Sequence, residues 1–265
     1  MKSFKILAMG LLAAITWIAD WLLLERNIYQ NHSLAFIGWP SIATILGITF
    51  LTFFFVTNRN RLLSLILDGV IVIGYLVIMP KAWYVLLAGV IFLIFLQLFE
   101  HRLAEEGKSR LDFSIRRVMM HSISLTIYAL LLLIGLNVYH STRLDFNANQ
   151  DAYYERLEKA AAAAANRTVP YISKTLNAPV SDEQSHEIAE ILAHDTVDNI
   201  RQSSGAYQQY FPLILAIIVT GLLSTFAFLL RWATVVVSWI IFKILVATGF
   251  FKLEKEMVEV EKLTI

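Results

Sequence analysis

The sequence contains no cysteine, which excludes disulfide bonds, thiolate metal sites and cysteine nucleophiles together. Glycine-rich phosphate loops, a serine nucleophile elbow and paired catalytic carboxylates are also missing from it. Charged residues make up only 16% of the chain, and the net charge of +1 leaves no basic patch large enough for nucleic acid. We therefore expect a non-enzymatic protein that uses no cofactor and binds no nucleic acid.

Apolar residues dominate the chain, at 57% of 265 positions, which is well above the usage of soluble domains. Seven apolar runs are long enough to cross about 30 Å of hydrocarbon. They lie near 5–24, 37–56, 62–79, 82–99, 118–138, 210–230 and 232–251. The sequence therefore predicts an all-α polytopic membrane protein with about seven transmembrane helices in the lipid bilayer and a helical extracytoplasmic insert.

Prolines and repeats add no sign of a broken-helix transporter, because neither paired Gly or Pro interruptions nor an internal repeat occurs. All prolines are expected at the boundaries of elements, where a missing N–H costs little. They are Pro40, Pro80, Pro170, Pro179 and Pro212.

The last two runs, 210–230 and 232–251, are separated by Arg231 alone, without the Gly, Pro or Asn of a tight reversal. We expect a hairpin with Arg231 and Trp232 at the inner surface, which leaves the charged tail, 252–265, outside. The alternative has six spans, with 232–251 lying in or beneath the inner leaflet and the tail inside. The tail does not decide, because its lysines are offset by glutamates, which contribute little to orientation.

Basic residues set the expected orientation, because they collect in the connections on one side if the spans alternate, and that side is then the cytoplasm. They are Lys2, Lys5, Arg59, Arg61, Arg102, Lys108, Arg110, Arg116 and Arg117. The opposite boundary collects aromatic residues typical of a membrane interface. These are Trp21, Trp39, Trp83, Tyr84, Tyr139 and Tyr210. Both patterns predict a cytoplasmic N-terminus and place 139–209 outside.

The chain is expected to divide at the polar segment 139–209, which separates five spans in 1–138 from two spans in 210–251. This segment, the cap, is too small to bury a deep hydrophobic core by itself. We therefore expect it to lean on the membrane domain, on a neighbouring subunit or on a partner protein. The charged tail, 252–265, follows the last span.

Two main helices are predicted in the cap. The first covers 149–166, with a short piece after Pro170, and its apolar face at helical spacing consists of Tyr153, Leu157, Ala160 and Ala164. The second begins at a capping box of Ser181 and Gln184 and runs to about Gln202. Its apolar residues form no single stripe, which predicts contacts from more than one direction. They are Ile188, Ile191, Leu192, Val197 and Ile200.

A polar series on the second cap helix repeats every four residues, at Asp182, His186, Glu190, His194 and Asp198. Side chains at this spacing share one face, so His186, Glu190 and His194 are candidate ligands for zinc or a similar ion. We favour the alternative, a solvated polar face with ion pairs between successive turns. The zinc-protease helix motif is not matched, because Glu190 stands where that motif needs its second histidine.

Three ionisable residues fall inside or at the ends of predicted spans, where charges are costly: Asp20, Asp68 and Lys243. Asp68 and Lys243 lie at overlapping depth when counted from the cytoplasmic face. We expect them to form a buried pair that holds two helices together; the alternatives are an ion or proton path and separate snorkelling. Asp20, flanked by Trp17 and Trp21, is expected at the outer interface.

Two short motifs resemble a pattern in uncharacterised bacterial polytopic membrane proteins. They are Thr196-Val197-Asp198 and Phe251-Lys252-Leu253-Glu254-Lys255-Glu256-Met257-Val258-Glu259. The resemblance covers only the last third of the chain, and it implies a bacterial cytoplasmic membrane without an assigned activity.

Three functional hypotheses follow from these patterns. The leading one is a structural or accessory membrane subunit that assembles through its cap with copies of itself or with other membrane proteins. The second is a small oligomeric ion channel or transporter with Asp68 and Lys243 near the path. The third is a metal-dependent membrane enzyme that uses His186, Glu190 and His194.

Overall fold

The structure is a computed structural model that describes residues 2–30, 38–58, 60–108, 115–175, 181–203 and 208–251. Within these ranges the elements are α1 (Lys2–Glu25), α2 (Trp39–Thr57), α3 (Arg61–Ile78), α4 (Trp83–Lys108), α5 (Ile115–Ala148), α6 (Gln150–Thr175), α7 (Asp182–Ser203) and α8 (Phe211–Ala247). A π-helical turn, Arg26–Gln30, extends α1, and a 3-10 turn, Gln208–Tyr210, precedes α8. These ranges contain no strand, which confirms the all-α prediction for them. The tail, 252–265, and most of the second resemblance motif lie outside the described residues.

Six of the described helical stretches are long and apolar enough to cross a membrane, which fits an integral membrane protein. They are Phe4–Gln30, Trp39–Thr57, Arg61–Ile78, Trp83–Glu106, Val118–Ala148 and Phe211–Ala247. The number matches the six-span alternative rather than the seven spans that we expected.

The difference lies in α8, which is one continuous helix of 37 residues. Arg231 and Trp232, where the hairpin was expected, are both helical, so the prediction of a reversal there is wrong. The reason is local as well as tertiary, because the segment lacks turn-forming residues and Arg231 donates to the main-chain oxygen of Met120 on α5. At about 1.5 Å per residue, α8 is about 55 Å long, well beyond the hydrocarbon thickness of about 30 Å.

The residues after α8 return to the start of α1. Lys5 Nζ donates to the main-chain oxygens of Gly249 at 3.2 Å and Phe250 at 2.6 Å. The same ammonium group lies 4.9 Å from the centre of the Phe250 ring. The beginning of α1 and the end of α8 are therefore at the same end of the helix bundle, as an even number of crossings requires.

The chain separates into two compact units. The larger unit comprises Met1–Asn137 and Val219–Ile265, and the smaller unit comprises Val138–Ile218. The smaller unit contains the expected cap, 139–209, together with the first turns of α8.

An aromatic cluster lies in the core of the larger unit. Trp17 and Trp21 of α1 have ring centroids 5.1 Å apart, and Trp21 packs edge to face on Tyr75 at 5.3 Å and on Phe92 at 5.4 Å. Trp21 is fully buried, so its predicted place in an interfacial belt is wrong. The reason is that the side of α1 that carries Trp21 faces α2, α3 and α4. Two other residues of the predicted belt, Trp39 and Trp83, are exposed.

In the smaller unit, the capping box at the start of α7 is confirmed. Gln184 N donates to Ser181 Oγ at 3.2 Å, and Ser181 N donates to Gln184 Oε1 at 3.1 Å. Helix α6 differs from the prediction, because it continues through Pro170 to Thr175 as a single helix. Proline removes only one N–H from the helical ladder, and the Pro170 oxygen accepts a bond from Ser173 Oγ at 3.0 Å.

Candidate functional site

Asp68 lies on α3 with no exposed surface. Gln97 Nε2 of α4 donates a short hydrogen bond to Asp68 Oδ2, while Asp68 Oδ1 is buried without a hydrogen-bond partner. The main polar contact of Asp68 therefore joins α3 to α4. An acidic group placed in this way is a candidate functional residue, because burial of a half-satisfied carboxyl group inside a membrane bundle is costly.

Lys243, the expected partner of Asp68, lies elsewhere. Its side chain is exposed on α8, and Nζ lies 4.3 Å from the centre of the Trp239 ring, one turn earlier on the same helix. One polar contact of α8, five residues before Lys243, runs to α2, where the Ser238 and Thr49 hydroxyls are 2.7 Å apart. The pairing was expected because Asp68 and Lys243 lie at overlapping depth if the chain reverses at Arg231. Since α8 continues through Arg231 as one helix, this reason no longer applies.

Asp20 lies on α1 and is also without exposed surface, so its expected interfacial position is wrong. Thr44 Oγ1 of α2 donates to Asp20 Oδ2 at 2.8 Å, and Asp20 Oδ1 is buried without a partner. The neighbouring residues Trp17 and Trp21 suggested an interface because tryptophan is common at membrane surfaces. Both side chains are instead buried inside the bundle.

The surroundings of Asp20 are closely packed. An added Cβ at Gly47 would lie 3.2 Å from Trp17 Nε1, so Gly47 lets α1 and α2 approach at this point. Trp17 Nε1 itself is buried without an acceptor. On the α3 side, Trp21 Nε1 donates to the main-chain oxygen of Ile71 at 3.2 Å.

A further buried polar side chain, Asn137, was not identified from the sequence. Asn137 of α5 has no exposed surface; its Nδ2 donates to Tyr75 Oη at 2.8 Å, and its Oδ1 accepts from Tyr29 Oη at 2.9 Å. This network connects α3, α5 and the π-helical turn that follows α1. The available signal was an isolated asparagine near the end of the apolar run 118–138, where an unpaired amide would be costly.

The polar series on α7 forms a bridge between helices. His194 Nδ1 lies 2.9 Å from Glu158 Oε1 of α6, and His194 Nε2 lies 3.4 Å from Asp198 Oδ2. The hydrogen bond to Glu158, with the nearby Asp198 charge, raises the pKa of His194 above its ordinary value. His186 and Glu190 are exposed, and among the described residues no three His, Asp or Glu side chains converge as a metal site requires.

The inner side of α7 is formed by small residues at intervals of four, namely Ser185, Ala189, Ala193 and Val197, all of them buried. Val197 joins a cluster with Phe146, Tyr153 and Tyr154, and Leu157 packs against it, as predicted for the face of the first cap helix. The side chains of Ala160 and Ala164 lie outside the described residues. Small residues permit the close approach of α6 and α7.

A second side of α7, adjacent to the inner one, carries exposed apolar residues. Ile188, Ile191 and Leu192 are 38%, 54% and 50% exposed. Their spacing of three and four residues places them on one face. The apolar residues of α7 therefore divide between an inner face and this second face, in keeping with the predicted absence of a single stripe.

Comparison of the chain with protein-family models, with curated proteins and with solved structures found no match. The functional proposals below therefore rest on the geometry of the described residues.

Proposed function

We propose that this is a non-enzymatic integral membrane protein, a structural or accessory subunit that assembles with copies of itself or with other membrane proteins. In this proposal it resides in a bacterial cytoplasmic membrane, with a cytoplasmic N-terminus and 139–209 outside. The observation that carries the proposal is the second apolar face of α7, formed by Ile188, Ile191 and Leu192.

Assembly is supported by the exposed surface of this face, which no described part of the smaller unit covers. The inner face of α7 packs against α6 through small side chains, and about half of the surface of Ile188, Ile191 and Leu192 stays outside that contact. Three large apolar side chains on one side of a polar helix are typical of a surface that is covered by another protein. Because each side chain is about half exposed, removing its remaining surface from water stabilises a complex by about 1 kcal/mol per residue before the cost of association.

Native mass spectrometry of the protein extracted in mild detergent tests the proposal. The variant Ile188→Ser, Ile191→Ser, Leu192→Ser is compared with a control, Glu183→Gln, Glu187→Gln, Glu190→Gln, which changes exposed polar positions of the same helix. We expect the wild type and the control to retain a homo-oligomer or foreign subunits that the apolar variant loses. A wild-type protein that is monomeric and alone, or an apolar variant with unchanged partners, would contradict the proposal.

A second candidate function is a small oligomeric ion channel or transporter, which the burial of Asp68 favours. Lys243 contacts Trp239 and not Asp68 among the described residues, so we test this candidate at Asp68. The variant Asp68→Asn keeps the size of the side chain and an acceptor for Gln97 while it removes the ionisable group. We expect it to lose ion or proton flux in proteoliposomes, with Lys243→Gln as the control that retains flux. Unchanged flux in a folded Asp68→Asn protein would count against this candidate.

A further inference from the structure

The two buried carboxyl groups of the larger unit share one arrangement. Each lies between two helices, Asp20 between α1 and α2 and Asp68 between α3 and α4. Each has one oxygen bonded by a neutral side chain, Thr44 or Gln97, and one buried oxygen without a partner. Neither carboxyl group has a basic partner among the described residues. We propose that Asp20 and Asp68 are proton-binding sites.

The charges around each group favour proton uptake. At Asp20, Thr44 faces it from α2, and the aromatic rings of Tyr75 from α3 and Phe92 from α4 pack on the adjacent Trp21. The Tyr75 hydroxyl is bonded by Asn137 and carries no charge there. An ionised carboxylate that is sealed from water needs a cation or several donors, and one hydroxyl is too little.

At Asp68, α4 supplies Gln97 and a like charge, Glu100. On the side of α1, Gly10 approaches Leu67, the residue before Asp68, with an added Cβ 3.9 Å from the Leu67 side chain. The amide of Gln97 is neutral, and Glu100 opposes a second negative charge. Binding of a proton converts the carboxylate to a neutral acid, with one O–H bond formed, and removes both difficulties.

A metal cation fits the same groups poorly. Cations such as Ca²⁺ and Mg²⁺ are held by about six or more oxygen ligands. Asp20 has the single hydroxyl of Thr44 beside it, and Asp68 has the N–H of Gln97, a donor that would point at the cation. The proton therefore fits the chemistry of these surroundings best.

The two sites belong to helices that are in direct contact, α1 and α3. Trp21, which follows Asp20, donates to the oxygen of Ile71, which lies three residues after Asp68 on α3. This hydrogen bond joins the helix that carries Asp20 to the helix that carries Asp68. For the channel or transporter candidate, this inference identifies the proton as the transported ion, and that consequence rests on the candidate.

Infrared difference spectroscopy of the full chain in nanodiscs, titrated with acid and base in H₂O and D₂O, tests proton binding. The readout is the carbonyl stretch of protonated carboxylic acids. We expect the wild type to show two such bands at neutral pH, with Asp20→Asn and Asp68→Asn each losing one. Glu105→Gln, at an exposed carboxylate of α4, serves as the control and keeps both. Thr44→Val retains Asp20 and is expected to shift only the Asp20 band, which guards against loss through misfolding.

Bands that neither aspartate substitution removes, or bands that disappear when sodium is added, would overturn the proposal. Proton flux measured with a pH-sensitive dye in vesicles is a separate readout. Two protonated aspartates without flux support proton binding and contradict the transport candidate. Flux that persists in both Asn variants, with the two bands absent from the wild type, contradicts proton binding and leaves transport to other residues.

Discussion

Buried polar side chains decide the chemistry of the larger unit at the scale of single residues. Asn137 is bonded on both its amide oxygen and its nitrogen, which makes it a well-satisfied link between helices. Asp20 and Asp68 each keep one buried oxygen without a partner. Asn137 therefore joins helices at little cost, whereas the burial of Asp20 and Asp68 remains costly. The two aspartates are for this reason the candidates for function.

His194 gives a prediction at the same scale. Its pKa in the folded protein is raised above 6.5, mainly by the hydrogen bond to Glu158 and then by the Asp198 charge. Its contribution to stability is therefore fully present below about pH 6.5 and is lost as the pH rises through the folded pKa. We expect the protection factors of the α6 and α7 amides in the full chain, which are corrected for the base-catalysed intrinsic exchange rate, to fall over that rise.

The control for this prediction lies on the same helix. His194→Gln is expected to remove the pH dependence of these protection factors, whereas His186→Gln, which changes an exposed histidine outside the Glu158 bridge, retains it. Equal pH dependence in wild type and His194→Gln would show that the bridge between α6 and α7 contributes nothing to stability.

At the scale of elements, α8 is held to its neighbours by close contacts at a few points. Arg231 bonds the start of α5 at Met120, and Gly135, further along α5, faces the Thr220 side chain. These contacts run in opposite order along the two helices, so α5 and α8 are antiparallel. Only the absence of a side chain at Gly135 leaves room for Thr220.

We predict that Gly135→Val lowers the stability of the protein by about 1–3 kcal/mol, because the added carbons overlap Thr220. Gly69→Ala is the matched control, since no atom lies within 4 Å of the added Cβ and alanine favours helix. Thermal unfolding in detergent measures both. A Gly135→Val protein as stable as Gly69→Ala would show that α5 and α8 are not in close contact there.

At the scale of the whole molecule, the number of crossings determines where the chain ends emerge. Because α8 is continuous, the described residues contain six helices that could cross the membrane, which is an even number. The contacts of Lys5 with Gly249 and Phe250 agree with an even number. The seven-span prediction would instead have placed the end of the last span opposite the start of α1.

Because the chain has no cysteine, single introduced cysteines report the side of the membrane directly. We expect Thr248→Cys and Glu105→Cys to react with an impermeant maleimide only after cells are opened. Glu187→Cys is expected to react in intact cells, as the positive-inside pattern predicts. Reaction of Thr248→Cys in intact cells, together with Glu187→Cys, would restore the seven-span arrangement.

The sequence by itself determined the helical class, the apolar composition of the spans and the capping box at Ser181, because these depend on neighbours within a few residues. The continuity of α8 has a local part, because no turn-forming residue stands near Arg231, and a tertiary part that the sequence did not show, because Arg231 finds its acceptor, Met120, 111 residues away in the chain. Only the tertiary structure decided the surroundings of Asp20 and Asp68, whose partners Thr44 and Gln97 lie on other helices. Hydropathy measures the cost of a polar residue, whereas the partner that offsets this cost depends on how helices pack.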